Sequence, residues 1–385
     1  MKDIPSFTCP TRVYFGEGAH ARLADILTAL GAARVLAVVD PAMVDSAIFL
    51  ACRESLRERG VVVEIFQEVE PEPSDTTVGK AFSQCRALEA QTILALGGGS
   101  TIDVAKAVCI LMTNGGCIAD YEGTDRFDVP PLPLIAVPST AGTGSEVSGA
   151  CVISDTGRNV KMAIRHAVYC PARFAILDPL AVRSLPARVA ANAGIDAFVH
   201  AFESYISKHA HPLSDAINLH AMALIAGAIR PFFANRGNTR AAQDMLCGSS
   251  LAAMSFGVTG LGNVHCMAMA LGAVYPIPHG LANAVCLPVA AQFNLIANPD
   301  RYAHVAAILG ADVAGLPPLE AARACIVAIR ELCADLAIPA RLRDVGVVRD
   351  ALPELARRSF KADYNRWNPR HTTEDDFLAL FEQAY

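Results

Sequence analysis

The sequence predicts two domains: an α/β N-terminal half built on a parallel sheet and an all-helical C-terminal half. Three observations carry this. A chain of 385 residues exceeds what one ordinary core organises. Short apolar runs alternate with amphipathic segments as far as Leu177. After Pro186 the strand patterns stop and long Ala/Leu-rich stretches take over. A hydrophobic fraction of 53% with 6% aromatics fits a well-buried aliphatic globule and excludes a disordered chain.

The elements follow in order. Val35–Val39 reads as a buried strand stopped by Asp40-Pro41; Val61–Phe66, Thr92–Leu96 and Leu134–Val137 repeat the pattern. Helical periodicity fills Thr77–Leu88 and Thr101–Leu111. This rhythm predicts a parallel sheet with helices on both faces. Phe174–Leu177 is a last short strand ending at Asp178-Pro179. The boundary falls near residue 185, giving domains 1–185 and 186–385. Leu213–Ile229 and Leu319–Leu336 are the clearest helices of the second. No linker separates the two, so a cleft at the junction is the default ligand site.

Composition excludes several classes. A net charge of −6 without a Lys/Arg block argues against nucleic acid as a partner. The 12 cysteines stand singly, none in a C-x-x-C pair, which predicts buried free thiols in a reducing cytoplasm. Met1–Ser6 has no leader-like apolar stretch. The longest apolar run, Met222–Ala234, is interrupted by Arg230 and Pro231, short of a membrane span. The expectation is a cytoplasmic protein with no membrane partner.

Two loops look built for an anion. Leu96-Gly97-Gly98-Gly99-Ser100-Thr101 is strand, glycine loop, helix. Glycines let a phosphate approach the backbone, and the free N–H groups of the new helix face it. Ser100 is placed to cap that helix with Asp103 as its capping-box partner. The same triplet also fits an ordinary strand-to-helix turn, and it is not G-x-G-x-x-G. A second small-residue loop, Pro138 to Glu146, follows the strand ending at Val137, and its Thr140 and Thr143 offer hydroxyls for pyrophosphate or ribose. Asp40, ending an earlier strand, suits ribose hydroxyls and would repel a 2′-phosphate, favouring NAD over NADP. Asp before Pro is equally common turn chemistry.

The helical half holds candidate metal ligands. Asp196 and His200 are four residues apart, on one face of a helix, among apolar neighbours. His265 lies in an apolar helical stretch, and His279 opens a helix after Pro276-Ile277-Pro278. Singly these histidines read as satisfied core or capping residues. Together, three imidazoles and a carboxylate suit one divalent Fe²⁺ or Zn²⁺.

These motifs together resemble the signatures of iron-containing (group III) alcohol dehydrogenases: Gly97-Gly98-Gly99-Ser100 with Asp103 and Lys106, Thr140 to Glu146, Asp196-x3-His200, and His265-x13-His279-Gly280. Phe15 to Ala19, Leu177-Asp178-Pro179, Ser184-Leu185-Pro186 and Asn368-Pro369-Arg370 extend the resemblance along the whole chain. It implies a dehydroquinate synthase-like architecture, with a Rossmann-like dinucleotide-binding domain and an all-α metal-binding catalytic domain. The implied activity is metal-dependent, NAD-linked interconversion of a small primary alcohol and its aldehyde, in a homodimer or higher homo-oligomer. By the same resemblance Asp196, His200, His265 and His279 bind the catalytic metal. Gly97, Gly98, Gly99, Ser100, Thr140 and Thr143 hold NAD, with Asp40 on the adenosine ribose and Lys161 near the nicotinamide ribose.

Family members often carry a second histidine four residues after the first C-terminal ligand, thought to assist proton movement. Here that position is Met269, which relays no proton. Tyr364 and Arg366 stand where smaller residues are common, and Arg366 is a candidate partner for an anionic substrate tail such as a sulfonate, phosphonate or carboxylate. Two alternatives are weighed. A dehydroquinate synthase-like lyase needs a basic cluster beside the metal motifs, and none is visible in the sequence. A non-catalytic NAD-binding protein would tolerate loss of metal ligands, and all four are present.

Overall fold

The computed structural model describes residues 6–385, so of the N-terminal stretch Met1–Ser6 read above only Ser6 lies within the described residues. Two compact units divide the chain, Thr8–Leu185 and Pro186–Tyr385.

The first unit holds strands β1 (Arg12–Phe15), β2 (Arg34–Val39), β3 (Val62–Phe66), β4 (Thr92–Gly97), β5 (Gly123–Thr124), β6 (Leu134–Pro138), β7 (Ala150–Asp155), β8 (Val160–Arg165) and β9 (Phe174–Leu177). Six form one sheet in the order β1-β9-β6-β4-β2-β3, every neighbouring pair parallel. Helices α1 (Leu23–Leu30), α2 (Ala47–Glu58), α3 (Asp75–Ala87) and α4 (Gly99–Asn114) cover it. Alternation along the central strands explains how. Val35, Ala37 and Val39 of β2 join the core under α1 and α2, while Leu36 and Val38 join the core under α3 and α4. Strands buried on both faces need continuous apolar runs, which is why they were legible as runs.

One element escaped that reading. β7 and β8 form an antiparallel hairpin, joined by β5 in a separate three-stranded sheet. Its residues alternate between buried Met162 and Ile164 and exposed Val160 and Lys161, a half-covered pattern without the long apolar run of a central strand. The turn contains Asn159 at φ 54°, a left-handed conformation that asparagine tolerates well.

The second unit is helical throughout among the described residues: α5 (Ala187–Ile206), α6 (Pro212–Ala234), α7 (Thr239–Thr259), α8 (Asn263–Val274), α9 (His279–Asn294), α10 (Pro299–Ile308), α11 (Pro318–Asp335), α12 (Leu352–Lys361) and α13 (Glu374–Ala384). α5 is its axis, buried without interruption from Gly194 to Ile206 and packed against α6, α7 and α9. A helix apolar all round belongs in the middle of a core. The break expected at Arg230-Pro231 does not end α6, which continues through Pro231 to Ala234. By length and composition alone, the helical segments Pro212–Ala234 and His279–Ala297 would suffice to cross a membrane. Here α6 packs on α5 and α7, and α9 on α5 and α8.

No disulfide occurs among the described residues; Cys9 and Cys117 are exposed, Cys247 is half-buried and the others are buried. The two exposed thiols depart from the uniformly buried set expected. Burial pushes the Cys52 thiol up to about 12, helped by the Asp178 carboxylate, and burial alone pushes Cys85 to about 12. Thiolate is the reactive form. Brief alkylation of the native protein at neutral pH is therefore expected to label Cys9 and Cys117, with the buried thiols reacting only after unfolding, as read by peptide mass mapping.

Candidate functional site

In the α/β unit, three neighbouring strands end abreast. The ladder runs past β2 and β6: Asp40 N–H donates to Leu96 O (2.9 Å) and Ser139 N–H to Gly97 O (2.9 Å). β3 lies beyond β2 and β6 beyond β4, so the chain order reverses between β2 and β4. Ligands of open α/β sheets bind at such a point, beyond the strands' carboxyl ends. Asp40, the glycine loop and the Pro138–Glu146 loop are thus brought together.

The glycines set how closely the two loops approach. A Cβ on Gly98 would stand 3.5 Å from the Thr140 side chain, and one on Gly99 only 2.9 Å from Thr143. The threonine side chains therefore lie directly on the triplet. α4 opens at Gly98 without a side-chain cap, and its first backbone bond is Ile102 N–H to Gly98 O. The N–H groups of its first turn have no partner within the helix, which is the donor set an anion needs.

The capping box expected at Ser100 and Asp103 is not formed. The helix begins two residues earlier than that reading required, so Ser100 lies inside the first turn and donates to Pro71 O (2.5 Å). Asp103 instead accepts from the Ser145 hydroxyl (2.5 Å) and from Val152 N–H (2.9 Å). Burial raises the Asp103 carboxyl above its ordinary value, against the pull of Lys106 and these two donors. Lys106, 2% exposed, donates to Ser148 O (3.0 Å) and Ala150 O (2.7 Å). Both charged residues of the motif thus brace the second loop onto α4. Asp40 commits Oδ1 to Ala42 N–H (2.9 Å), the turn role weighed against ribose binding. Lys161 sits in the side sheet, its ammonium 2.8 Å from Glu72.

In the helical unit, Asp196 and His200 on α5, His265 on α8 and His279 at the start of α9 converge, with one ligand atom from each within 4.8 Å of all the others. Asp196 Oδ1 is 4.0 Å from His200 Nε2 and 3.8 Å from His279 Nε2. An ion about 2.0–2.2 Å from each donor holds its ligands within roughly 4.4 Å of one another. Neutral imidazoles with a carboxylate are the donor chemistry of Fe²⁺ or Zn²⁺, so these residues fit such an ion. Burial alone would raise the Asp196 carboxyl. The imidazoles of His200, His279 and His265 and the Asn283 amide outweigh it and hold the carboxyl below its ordinary value.

The sequence reading missed Glu203, 1% exposed on α5. Its Oε1 accepts Val264 N–H (2.7 Å), and its Oε2 lies 2.6 Å from His265 Nδ1. One carboxylate therefore caps α8 and takes the Nδ1 proton, leaving Nε2 to face the other ligands. Glu203 follows Asp196 by seven residues and His200 by three, so it shares their helical stripe. That spacing was the available signal. Asn368 accepts Asn263 N–H (3.2 Å) and exchanges hydrogen bonds with Asn294 (2.8 Å each). The Asn-Pro-Arg signature thereby ties the start of α8 to the end of α9. Gly280 permits a close approach of α9 to α5: a Cβ there would overlap the Asn192 carbonyl oxygen of α5.

Comparison with known proteins gives the family. A profile described as iron-containing alcohol dehydrogenase matches residues 10–179, and one described as the C-terminal part of the Fe-containing alcohol dehydrogenase family matches residues 190–385. The chain belongs to the iron-containing alcohol dehydrogenase family. It is 39% identical to a 1,3-propanediol dehydrogenase of Klebsiella pneumoniae, covering 98% of each chain. It is 37% identical to a sulfoacetaldehyde reductase of Bilophila wadsworthia, covering 97% of each. The crystal structure of a 1,3-propanediol oxidoreductase superimposes with a TM-score of 0.97 at 38% identity, over 100% of both chains. For an iron-containing alcohol dehydrogenase the dehydroquinate synthase-like fold is the expected one, and membership implies a metal and NAD(H).

Glu203→Gln is expected to weaken metal affinity about 10–100-fold while NADH binding stays at the wild-type level. Chelator competition and NADH fluorescence titration measure the two separately.

Proposed function

We propose that this protein is an NAD-dependent, iron-type alcohol dehydrogenase that interconverts a small primary alcohol and its aldehyde. The observation that carries the reading is the convergence of one carboxylate and three imidazoles in the helical unit, with Glu203 orienting one of them. When bound, the divalent ion supplies a Lewis acid for the substrate oxygen and the dinucleotide a hydride carrier. The balance is aldehyde, NADH and a proton to alcohol and NAD⁺, reversibly.

The chain's own groups have distinct parts in that scheme. Asp196, His200, His265 and His279 would hold the ion, with Glu203 on His265 Nδ1 so that Nε2 faces the other three. Gly98, Gly99, the first-turn amides of α4, Thr140 and Thr143 receive the pyrophosphate. Asp40 retains one carboxylate oxygen for ribose, and Lys161 is assigned to the nicotinamide ribose. Three of the ligands are buried (Asp196, His200 and His265 are 2–5% exposed), which strengthens electrostatic effects there. Met269, 44% exposed on α8, has no exchangeable proton, so proton exchange belongs to solvent or another group.

The lyase alternative is not favoured: the ligands' neighbours include Glu203, Asn283, Phe256 and Tyr364, none of them basic. A homodimer belongs to the same proposal. β1 is an edge strand of its sheet, with Phe15 69% exposed. Arg366 is exposed and lies over the Trp367 ring at 4.1 Å, a posture that leaves its charge open to an anionic tail.

NADH oxidation with a panel of short aldehydes tests the reading. The wild type is expected to turn over and to stop on chelation. His265→Ala should lose metal and turnover while NADH binding survives; full activity in chelated His265→Ala would sink the assignment. Within the same panel, Arg366→Ala should lower kcat/KM for anionic aldehydes selectively. Equal losses for charged and neutral aldehydes would remove the anionic-tail assignment.

A further inference from the structure

One polar side chain in the metal centre is not accounted for by the four ligands. Asn283 lies one turn after His279 on α9 and is fully buried. Its Nδ2 is 2.6 Å from Asp196 Oδ1, 3.1 Å from His279 Nε2 and 3.3 Å from His265 Nε2. The carboxamide thus sits against three of the four ligands, from three different helices. Its other end is different: Oδ1 is buried and has no hydrogen-bond partner. Buried amide oxygens without a partner are uncommon and costly, and one on a side chain whose other end lies among candidate ligands needs an explanation.

The amide's dipole supplies it. An N–H₂ group has two protons for the three acceptors around it, so it suits lone pairs that no cation is using. A divalent ion held by those same lone pairs presents positive charge to the carboxamide, and against a cation the favoured end is the oxygen. The exchange needs only a half turn about χ2, with no movement of α9. In a buried, weakly screened site the difference between the two orientations is large. A carbonyl oxygen is also an ordinary donor for hard divalent ions.

We propose that Asn283 is a further donor of this centre, turning Oδ1 to the ion that Asp196, His200, His265 and His279 hold. The proposal rests on the metal-centre reading above and adds a residue to it. The opposing role is purely structural, with Asn283 donating an N–H to Asp196 whether or not an ion is bound. Two substitutions separate the roles. Asn283→Leu keeps the shape and removes both ends of the dipole; Asn283→Asp keeps an oxygen and removes the N–H.

The experiment measures Zn²⁺ affinity of chelator-stripped protein by competition with a chromophoric chelator. It runs on the wild type, both Asn283 variants and His265→Ala, with circular dichroism and thermal midpoints of the metal-free proteins alongside. Asn283→Leu is expected to fold and to bind Zn²⁺ about 10–100-fold more weakly. Asn283→Asp should bind at the wild-type level or tighter while its metal-free form melts lower, since two carboxylates then face each other. Wild-type affinity in folded Asn283→Leu, or an Asn283→Asp loss as large as that of the leucine variant, overturns the proposal. Zn²⁺ binding by His265→Ala equal to wild type is a different result: it removes the centre itself.

Discussion

The helical unit depends on one constraint: α5 is buried on every side, yet carries Asp196, His200 and Glu203 along one stripe. Ionisable groups buried without partners are strongly destabilising, so the rest of the unit must supply partners at fixed places. Glu203 takes the N–H groups of Val264 and His265 in the first turn of α8 and the Nδ1 of His265. Asp196 takes the imidazoles and the Asn283 amide. The positions of α8 and α9 follow from these demands. The stripe therefore organises the helices as much as it builds a site.

The α/β unit meets a similar demand differently. The loop from Ser139 to Ser148 has no helix or strand of its own to hold it over the glycine triplet. Asp103 and Lys106, one turn apart on α4, reach across to Ser145, Ser148, Ala150 and Val152. An ammonium 2% exposed is tolerable because backbone and hydroxyl oxygens receive its protons. Both charges thus shape the loop, and the first-turn N–H groups of α4 keep no partner within the helix.

Much of this was legible in the sequence. β2, β4 and β6 announced themselves because strands buried on both faces must be apolar throughout. Asp196 and His200 stood out as polar residues at helical spacing in apolar surroundings, and His265 and His279 as single histidines in helical stretches farther on. What stayed hidden had physical reasons. The β7–β8 hairpin is covered on one face only, so its pattern is diluted by exposed Lys161 and Val160. Ser100 looked like a cap because sequence alone does not say that the helix starts two residues sooner, at Gly99. Glu203 and Asn283 each lie one turn from a ligand, yet their significance comes from residues more than sixty positions away, such as Glu203 with His265 and Asn283 with Asp196. Pro231 interrupts the apolar run, but α6 continues through it for three more residues.

The contact at Gly280 has a last consequence. Since any side chain there would collide with a carbonyl oxygen of α5, the gap between the two helices is fixed by main-chain atoms in van der Waals contact, not by replaceable packing. The frame that carries Asp196 and His279 cannot widen or narrow by swapping core residues at that crossing. A lineage built on this frame that shifts its preference from one metal to another is thereby confined to changing the donors themselves or the groups that hydrogen-bond to them. The spacing of the frame is inherited whole.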